Sequence, residues 1–380
     1  MQLLIKTLEG LEPVLAEELE ALQLADINIL RRGVSCSGNW AQLYKCNYQL
    51  RTALRVLVNL KSFELDTQDD LYEAVQSINW ADYIPPGKTI AINGTITGEL
   101  FKNSQYAIYR TKDAIVDQLA ELRSKRPSVD TNSPDVLIDI YLRENKLIIS
   151  LDSSGRSLHL RNYKFRQYKA PLNEVLAAGI IKLSGWNQEY TFHDPMAGSG
   201  TFITEALMIA AEIPASYFNP SFAFQNWTEY HKDIWLAVKD AADSMIIHPE
   251  AKLLASDINP LAVRDVKKNL QKFPFREKVK IFQQDFFKLP GQTKTFLFMN
   301  PPYNKRIALD DPFMFYKQIG DALKNNWKDS QAWIISANIE AMKKIGLHAR
   351  RRISLNHGGT EAKLYNYEIY DGSKKSNHRS

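Results

Sequence analysis

Residues 3–7 form a short apolar run that predicts a strand, and Leu11, Val14, Leu15, Leu19 and Leu22 follow at the spacing of one helical face. The run 33–37 predicts another strand. From Trp40 to about residue 58, Leu43, Leu50, Leu54 and Leu57 predict one long helix. A second unit opens near Phe63 with a helix over 71–78 and a turn at Pro85-Pro86-Gly87. A strand over 89–97 and a helix over 104–122 follow, the helix with Ile108, Ile115, Leu119 and Leu122 on one stripe. Two strands, 136–142 and 146–152, read as a hairpin closed by Arg143-Glu144-Asn145. From about residue 170 the pattern changes again. Five short apolar runs, 190–193, 253–256, 279–283, 296–299 and 333–336, alternate with helical stretches, which predicts a parallel, doubly wound sheet. The stretch 352–370 predicts two antiparallel edge strands, and 373–380 a frayed tail.

A chain of 380 residues has room for two or three domains, each with its own core. With 44% hydrophobic and 24% charged residues it is an ordinary globular composition, which excludes a disordered or fibrous chain. No apolar run has the length of a membrane span, and the first residues lack the apolar block of a signal peptide. Cys36 and Cys46 alone cannot build a disulfide framework, so a reducing, cytoplasmic setting is expected. The net charge of +5 is unevenly spread. Residues 1–100 carry 8 Lys/Arg against 13 Asp/Glu, a net −5, and residues 101–170 carry 13 against 8, a net +5. Within 154–170, Arg156, Arg161, Lys164, Arg166 and Lys169 occur with Tyr163, Phe165 and Tyr168 and no acid. A second acid-free basic run holds Lys343, Lys344, Arg350, Arg351 and Arg352. Cations interleaved with aromatics suit a phosphate backbone and exposed bases; a solvated basic linker has the same composition.

The first chemical signal is a glycine turn after a strand: Asp194-Pro195-Met196-Ala197-Gly198-Ser199-Gly200-Thr201, with a helix starting at once. Two glycines let the backbone turn tightly and approach a ligand at the first switch point of the sheet. Position 203 is Ile, so the third glycine of the dinucleotide fingerprint is missing, and no Lys follows Gly200 as in a P-loop. A carboxylate at Asp194 attracts a cation and repels a pyrophosphate, which favours S-adenosylmethionine, with its ammonium and sulfonium, over NAD. The next two strands end at Asp257-Ile258 and at Asp285-Phe286. Asp257 can accept from ribose hydroxyls, and Asp285 from an adenine amino group with Phe286 near the ring. Each acid taken singly also fits a helix N-cap. The distance from Gly200 to Asp257 marks residues 212–250 as an insertion, rich in aromatics: Tyr217, Phe218, Phe222, Phe224, Trp227, Tyr230 and Trp235.

The second signal is Asn300-Pro301-Pro302-Tyr303, at the end of the fourth apolar strand. The prolines fix the backbone and remove two N–H donors, leaving the Pro301 carbonyl and the Asn300 side-chain oxygen free to accept. Methylation of a nucleobase amine needs that arrangement. Two acceptors holding the amine N–H groups make its nitrogen more tetrahedral and aim its lone pair, so catalysis is orientation and electrostatics. Tyr303 would stack on the extruded base. A rigid surface turn is the structural alternative. The seven histidines show no metal-ligand spacing, and no metal is expected.

These two motifs resemble the S-adenosylmethionine-dependent amino-methyltransferases. The resemblance extends over nearly the whole chain. Lys169-Ala170-Pro171-Leu172-Asn173-Glu174-Val175-Leu176-Ala177-Ala178 is similar to the entry into the catalytic domain of THUMP-containing RNA guanine methyltransferases. Ser77-Ile78-Asn79-Trp80, Asn103-Ser104-Gln105-Tyr106 and Lys112-Asp113-Ala114-Ile115-Val116-Asp117 resemble their THUMP domain, and Leu158-His159-Leu160-Arg161-Asn162-Tyr163 its exit. The nearest family in resemblance is the bacterial 23S rRNA guanine-N2 methyltransferases, some of which are the N-terminal half of a fused enzyme. Ala197 stands where that family commonly has Cys.

The resemblance implies a ferredoxin-like domain over 1–60, a THUMP domain over 61–155, a basic linker over 156–170 and a Rossmann-like, seven-stranded methyltransferase domain over 171–372. It implies S-adenosylmethionine at Asp194, Met196, Ala197, Gly198, Ser199, Gly200, Thr201, Asp257, Ile258, Asp285 and Phe286. It places the target base at Asn300, Pro301, Pro302 and Tyr303, and 23S rRNA or a large-subunit precursor on Lys112, Arg161, Lys164, Arg166 and Lys169. A monomer is the default. Two other readings are N6-adenine methylation of RNA or DNA, since both targets are exocyclic amines, and a non-catalytic rRNA-binding assembly factor.

Overall fold

The computed structural model describes residues 1–123, 126–166, 171–302, 311–357 and 360–370. The strands are β1 (Gln2–Lys6), β2 (Ala25–Leu30), β3 (Gly33–Ser37), β4 (Arg55–Glu64), β5 (Ile90–Thr97), β6 (Val136–Arg143), β7 (Lys146–Asp152), β8 (Thr191–Asp194), β9 (Leu253–Asp257), β10 (Val279–Gln283), β11 (Thr295–Met299), β12 (Ser330–Ser336), β13 (Arg351–His357) and β14 (Thr360–Ile369). The helices are α1 (Glu12–Ala21), α2 (Trp40–Gln49), α3 (Asp70–Gln76), α4 (Ser104–Arg123), α5 (Glu174–Ser184), α6 (Thr201–Ala210), α7 (Lys232–Ser244), α8 (Pro260–Leu270), α9 (Pro312–Asn326) and α10 (Ile339–Met342). None of the described helices is long and apolar enough to cross a membrane.

Two compact units are present, and the first is made of Met1–Thr7, Leu15–Leu160 and Ser216–Ala242. Its seven strands form one sheet in the order β2-β3-β1-β4-β7-β6-β5. β4 lies between β1 and β7, antiparallel to both. It thereby joins the parts expected to be ferredoxin-like and THUMP in one sheet. The single helix expected over 40–58 is replaced by α2 and β4. An Asn39–Gln42 capping box starts α2, and Leu50, extended at ψ 125°, ends it. Val56, Leu57 and Val58 are buried. A central strand covered on both faces reads as a continuous apolar run, and here its leucines happened to continue the helical period. β2, which the apolar pattern did not reveal, is an edge strand whose side chains are almost all exposed.

The aromatic insertion divides. Its segment Ser216–Ala242 belongs to the first unit, where Phe224 lies 4.4 Å (ring centroids) from Tyr44 and Trp235 lies 5.5 Å from Tyr48, both tyrosines on α2. Phe222 stacks on Phe224 at 5.3 Å. These rings are part of the first unit's main core.

The second unit is Leu8–Val14, Arg161–Ala215 and Asp243–Ser380. Its sheet runs β10-β9-β8-β11-β12-β14-β13. The first five strands are parallel, and β14 and β13 add an antiparallel pair, as the alternating pattern predicted. The strand order reverses between β8 and β11. At that reversal the connecting chains leave in opposite directions and open a crevice at the carboxyl ends of the strands. Phe192 of β8 stacks on Phe298 of β11 at 4.4 Å, so the floor of the crevice is firmly packed.

Candidate functional site

Asp194 ends β8, Asp257 ends β9, and Asn300 follows the last residue of β11. The loop between β8 and α6 is pinned to its neighbours by its own backbone. Ala197 N–H donates to Ser256 O at 3.0 Å, Gly198 N–H to Asp257 Oδ2 at 2.8 Å, and Gly200 N–H to Ala197 O at 2.6 Å. Both glycines have positive φ, +54° at Gly198 and +78° at Gly200. A Cβ on Gly200 would lie 3.0 Å from both Cγ atoms of Val266 on α8, whereas one on Gly198 would meet nothing within 4 Å. The loop is thus pressed onto α8 at one glycine and open at the other.

Two acceptor oxygens on this floor have no partner among the described residues. One is Oδ1 of Asp194, whose side chain is 1% exposed. Burial pushes its carboxyl well above the usual range, and the charge of Asp257 adds to that; backbone N–H groups of Met196 and Ile203 oppose it. The other is Oδ1 of Asn300, also out of contact with solvent. Since β8 pairs with β11, the two unpartnered acceptors sit at the ends of adjacent strands. Buried acceptors without donors are rare in folded proteins, and two together suit a ligand that brings N–H groups or positive charge.

The remaining predicted site residues fall out unequally. Met196 and Ser199 are half-buried, Ala197 and Thr201 buried, and Gly198 exposed. Asp257 Oδ1 accepts from Asn259 N–H at 2.9 Å, and Ile258 beside it is 65% exposed, an apolar side chain open to a ligand. Asp285 caps a short turn, accepting from Phe287 N–H at 3.0 Å. Phe286 does not present its ring to the crevice. It is 3% exposed and stacked 6.3 Å from Trp327 in the core of this unit. Pro301 is buried and Pro302 half-buried, while Tyr303 lies outside the described residues.

The basic stretch is corrected most. Arg161 is 1% exposed and its Nε lies 3.6 Å from Oε1 of the equally buried Glu205, so it has no surface to offer an RNA. Lys164 is ion-paired to Glu174 at 2.7 Å and only 14% exposed. Arg166, half-exposed, is ion-paired to Asp265. These cations fasten the entry segment to α5, α6 and α8; a charge count could not see the acids they meet. Lys112, on α4, is half-buried and ion-paired to Asp113 at 2.8 Å. Lys169 lies outside the described residues.

Sequence reasoning missed Asn269. It is 1% exposed on α8, donates from Nδ2 to Ser199 O at 2.9 Å and accepts at Oδ1 from Phe165 N–H at 3.0 Å. It braces the glycine loop against the entry segment. The available signal was a lone amide on the apolar face of α8. His193, next to Asp194, is a core residue. Burial depresses its pKa to about 3, and its ring lies 3.1 Å from Ser256 Oγ.

This fold and crevice define a class of protein, the S-adenosylmethionine-dependent methyltransferases. The RMKL-like methyltransferase domain matches residues 161–366, the THUMP domain residues 66–152 and the RlmL ferredoxin-like domain residues 2–57. The chain belongs to the RMKL-like methyltransferase family. It is 34% identical to a protein of Synechocystis sp. predicted to be an RNA methyltransferase, over 95% of each chain. It is 31% identical to the ribosomal RNA large subunit methyltransferase K/L of Cellvibrio japonicus, over 95% of this chain and 50% of that one. It thus spans about half the length of the K/L relatives it matches. Among solved structures, the predicted methyltransferase SMU.472, crystallised with S-adenosylhomocysteine, superposes with a TM-score of 0.87 at 27% identity, over 98% of this chain and 99% of that one. A possible methylase from Clostridium difficile gives the same TM-score, identity and coverage.

Proposed function

We propose that this protein transfers a methyl group from S-adenosylmethionine to the exocyclic N2 of a guanine in large-subunit (23S) ribosomal RNA. The observation that carries the amine as target is the buried, unpartnered Oδ1 of Asn300, followed by two prolines. The THUMP match and the rRNA methyltransferase K/L relatives support RNA as the substrate.

The crevice fits the cofactor. Asp194 and the loop of Met196, Ala197, Gly198, Ser199, Gly200 and Thr201 would hold its cationic methionine end, where the open face of Gly198 leaves space. Asp257 and Ile258 would take the ribose and one face of the adenine, and Asp285 its amino group. The bound cofactor supplies an electrophilic methyl group on a sulfonium. The chain's own task is to hold the amine. Asn300 Oδ1 and the Pro301 carbonyl accept its two N–H groups, which draws the nitrogen out of conjugation and directs its lone pair. Neither acceptor is a base at neutral pH, so the proton lost by the amine passes to water.

Incubation with labelled S-adenosylmethionine and unmodified large-subunit rRNA, followed by digestion to nucleosides and mass spectrometry, tests this. N2-methylguanosine is expected. N6-methyladenosine would retain the acceptor arrangement and overturn the base, and absence of any methylated nucleoside would overturn the RNA reading. Asn300→Ala should lower kcat by about 10²–10³-fold, as loss of one oriented hydrogen-bonding group does. Cofactor affinity by calorimetry should be unchanged. A near-normal rate would remove Asn300 from the mechanism.

A further inference from the structure

A groove of about 430 Å³ runs along α9, walled on its other side by the turn that follows α10. It is built in, because that turn lies directly on the helix: a Cβ on Gly320 of α9 would come within 1.8 Å of Ile345 O. Lys317 and Lys324 line it from α9, and Lys343 and Lys344 from the turn. Phe313 and Met314, in the first turn of α9, are each 48% exposed, and Lys344 Nζ lies 5.6 Å from the Phe313 ring. The acids nearby are committed or weakly held. Asp311 caps α9 through Met314 N–H at 3.0 Å, Lys324 is 4.0 Å from Asp321, and Lys343 is 2.7 Å from Glu340. Those two ion pairs are exposed and readily exchanged. Lys317 and Lys344 meet no carboxylate among the described residues. Of the second basic run, Arg350 is instead ion-paired to Glu368, Arg351 lies over Trp333, and Arg352 lies over Tyr365.

Topology sets the groove beside the candidate site. β11 and β12 are parallel, so α9 must start at the carboxyl edge of the sheet, where Asn300 stands, and run back toward the opposite edge. Phe313 and Met314 are at the near end. Four lysines against two aspartates, Asp311 and Asp321, with an exposed aromatic and an apolar neighbour in one concavity, match a single-stranded nucleic acid: phosphates on the lysines, a base on the ring.

We infer that this groove holds the RNA strand flanking the target nucleotide, with phosphates on Lys317 and Lys344 and a base stacked on Phe313. The inference rests on the reading of RNA as substrate. It makes these residues positioning groups, which act on substrate affinity and not on the methyl transfer itself.

The test compares wild type with Lys317→Gln/Lys344→Gln and with Phe313→Ala, on an unmodified large-subunit rRNA transcript. All three positions are exposed, so folding should be retained, and a Lys267→Gln/Lys272→Gln pair, one residue on α8 and one just beyond its end, controls for net charge. The double lysine variant should raise KM for the transcript about tenfold with kcat and cofactor affinity unchanged. The slope of log K against log salt in equilibrium binding should fall by about 1.4, two single-strand phosphate contacts. Phe313→Ala should weaken binding about tenfold with the slope unchanged. Wild-type KM and slope in the lysine variant, or equal losses in the control pair, would overturn the groove. Equilibrium binding needs no turnover. A wild-type protein that binds RNA through these lysines but methylates no guanine would overturn the proposed reaction and leave the groove standing.

Discussion

At Asp194 the needs of the fold and of the ligand oppose each other. A carboxyl buried to 1% exposure, beside a second carboxyl, is favoured as the neutral acid. Its folded-state pKa is raised, so the native state holds a proton that the unfolded chain gives up at about pH 4. Stability in the absence of cofactor should therefore fall as pH rises from about 4 through the folded value of this group. Asp194→Asn should abolish that part of the pH dependence, raise the urea midpoint at neutral pH and lose cofactor affinity. Urea titrations across pH and calorimetry check both signs; a variant less stable at neutral pH would contradict the account. Asn300 is the counterpart just after β11, an acceptor left unpaired at a cost the fold would not otherwise bear.

At the scale of elements, the segment from Arg161 to Arg166 shows how a motif read as a binding surface becomes a fastening. Its cations meet Glu205 on α6, Glu174 on α5 and Asp265 on α8, the last of them 99 residues away, so no local window contains the pairs Arg161–Glu205 and Arg166–Asp265. Removing one partner of a buried pair leaves a charge in a place built for two. Arg161→Ala should cost about 3–5 kcal/mol in urea unfolding. The salt dependence of RNA binding should stay at the wild-type slope. A stable variant with a reduced slope would return Arg161 to the RNA surface.

At the scale of the molecule, the units are not contiguous in sequence. The first unit takes Ser216–Ala242 from beyond residue 160, and the rings of Phe222, Phe224 and Trp235 cover Tyr44 and Tyr48 of α2. A fragment of residues 1–160 lacks those rings and should expose α2's aromatic face. It is expected to bind a hydrophobic dye and to lose the cooperative unfolding of the intact chain. Cooperative unfolding of the fragment, with no dye binding, would show that the returning segment is dispensable.

The methyltransferase sheet was legible from the sequence because each of its parallel strands is a short apolar run bounded by helix, and because each candidate ligand residue stands at or just after a strand end, where position in the chain fixes position in the crevice. Asp194, Gly198, Gly200, Asp257 and Asn300 could be found that way. Residues whose role depends on a distant partner could not: Arg161 needs Glu205, Asn269 needs Ser199 and Phe165, and Phe286 is turned to Trp327. The division of residues 40–58 into helix and strand was likewise settled by β1 and β7, which pair with both edges of β4 and make it a central strand of the sheet. Sequence alone determines what local period and strand-end chemistry can encode; the destination of a charge, an aromatic ring or a buried central strand is decided by what packs against it, and that partner is supplied only by the tertiary structure.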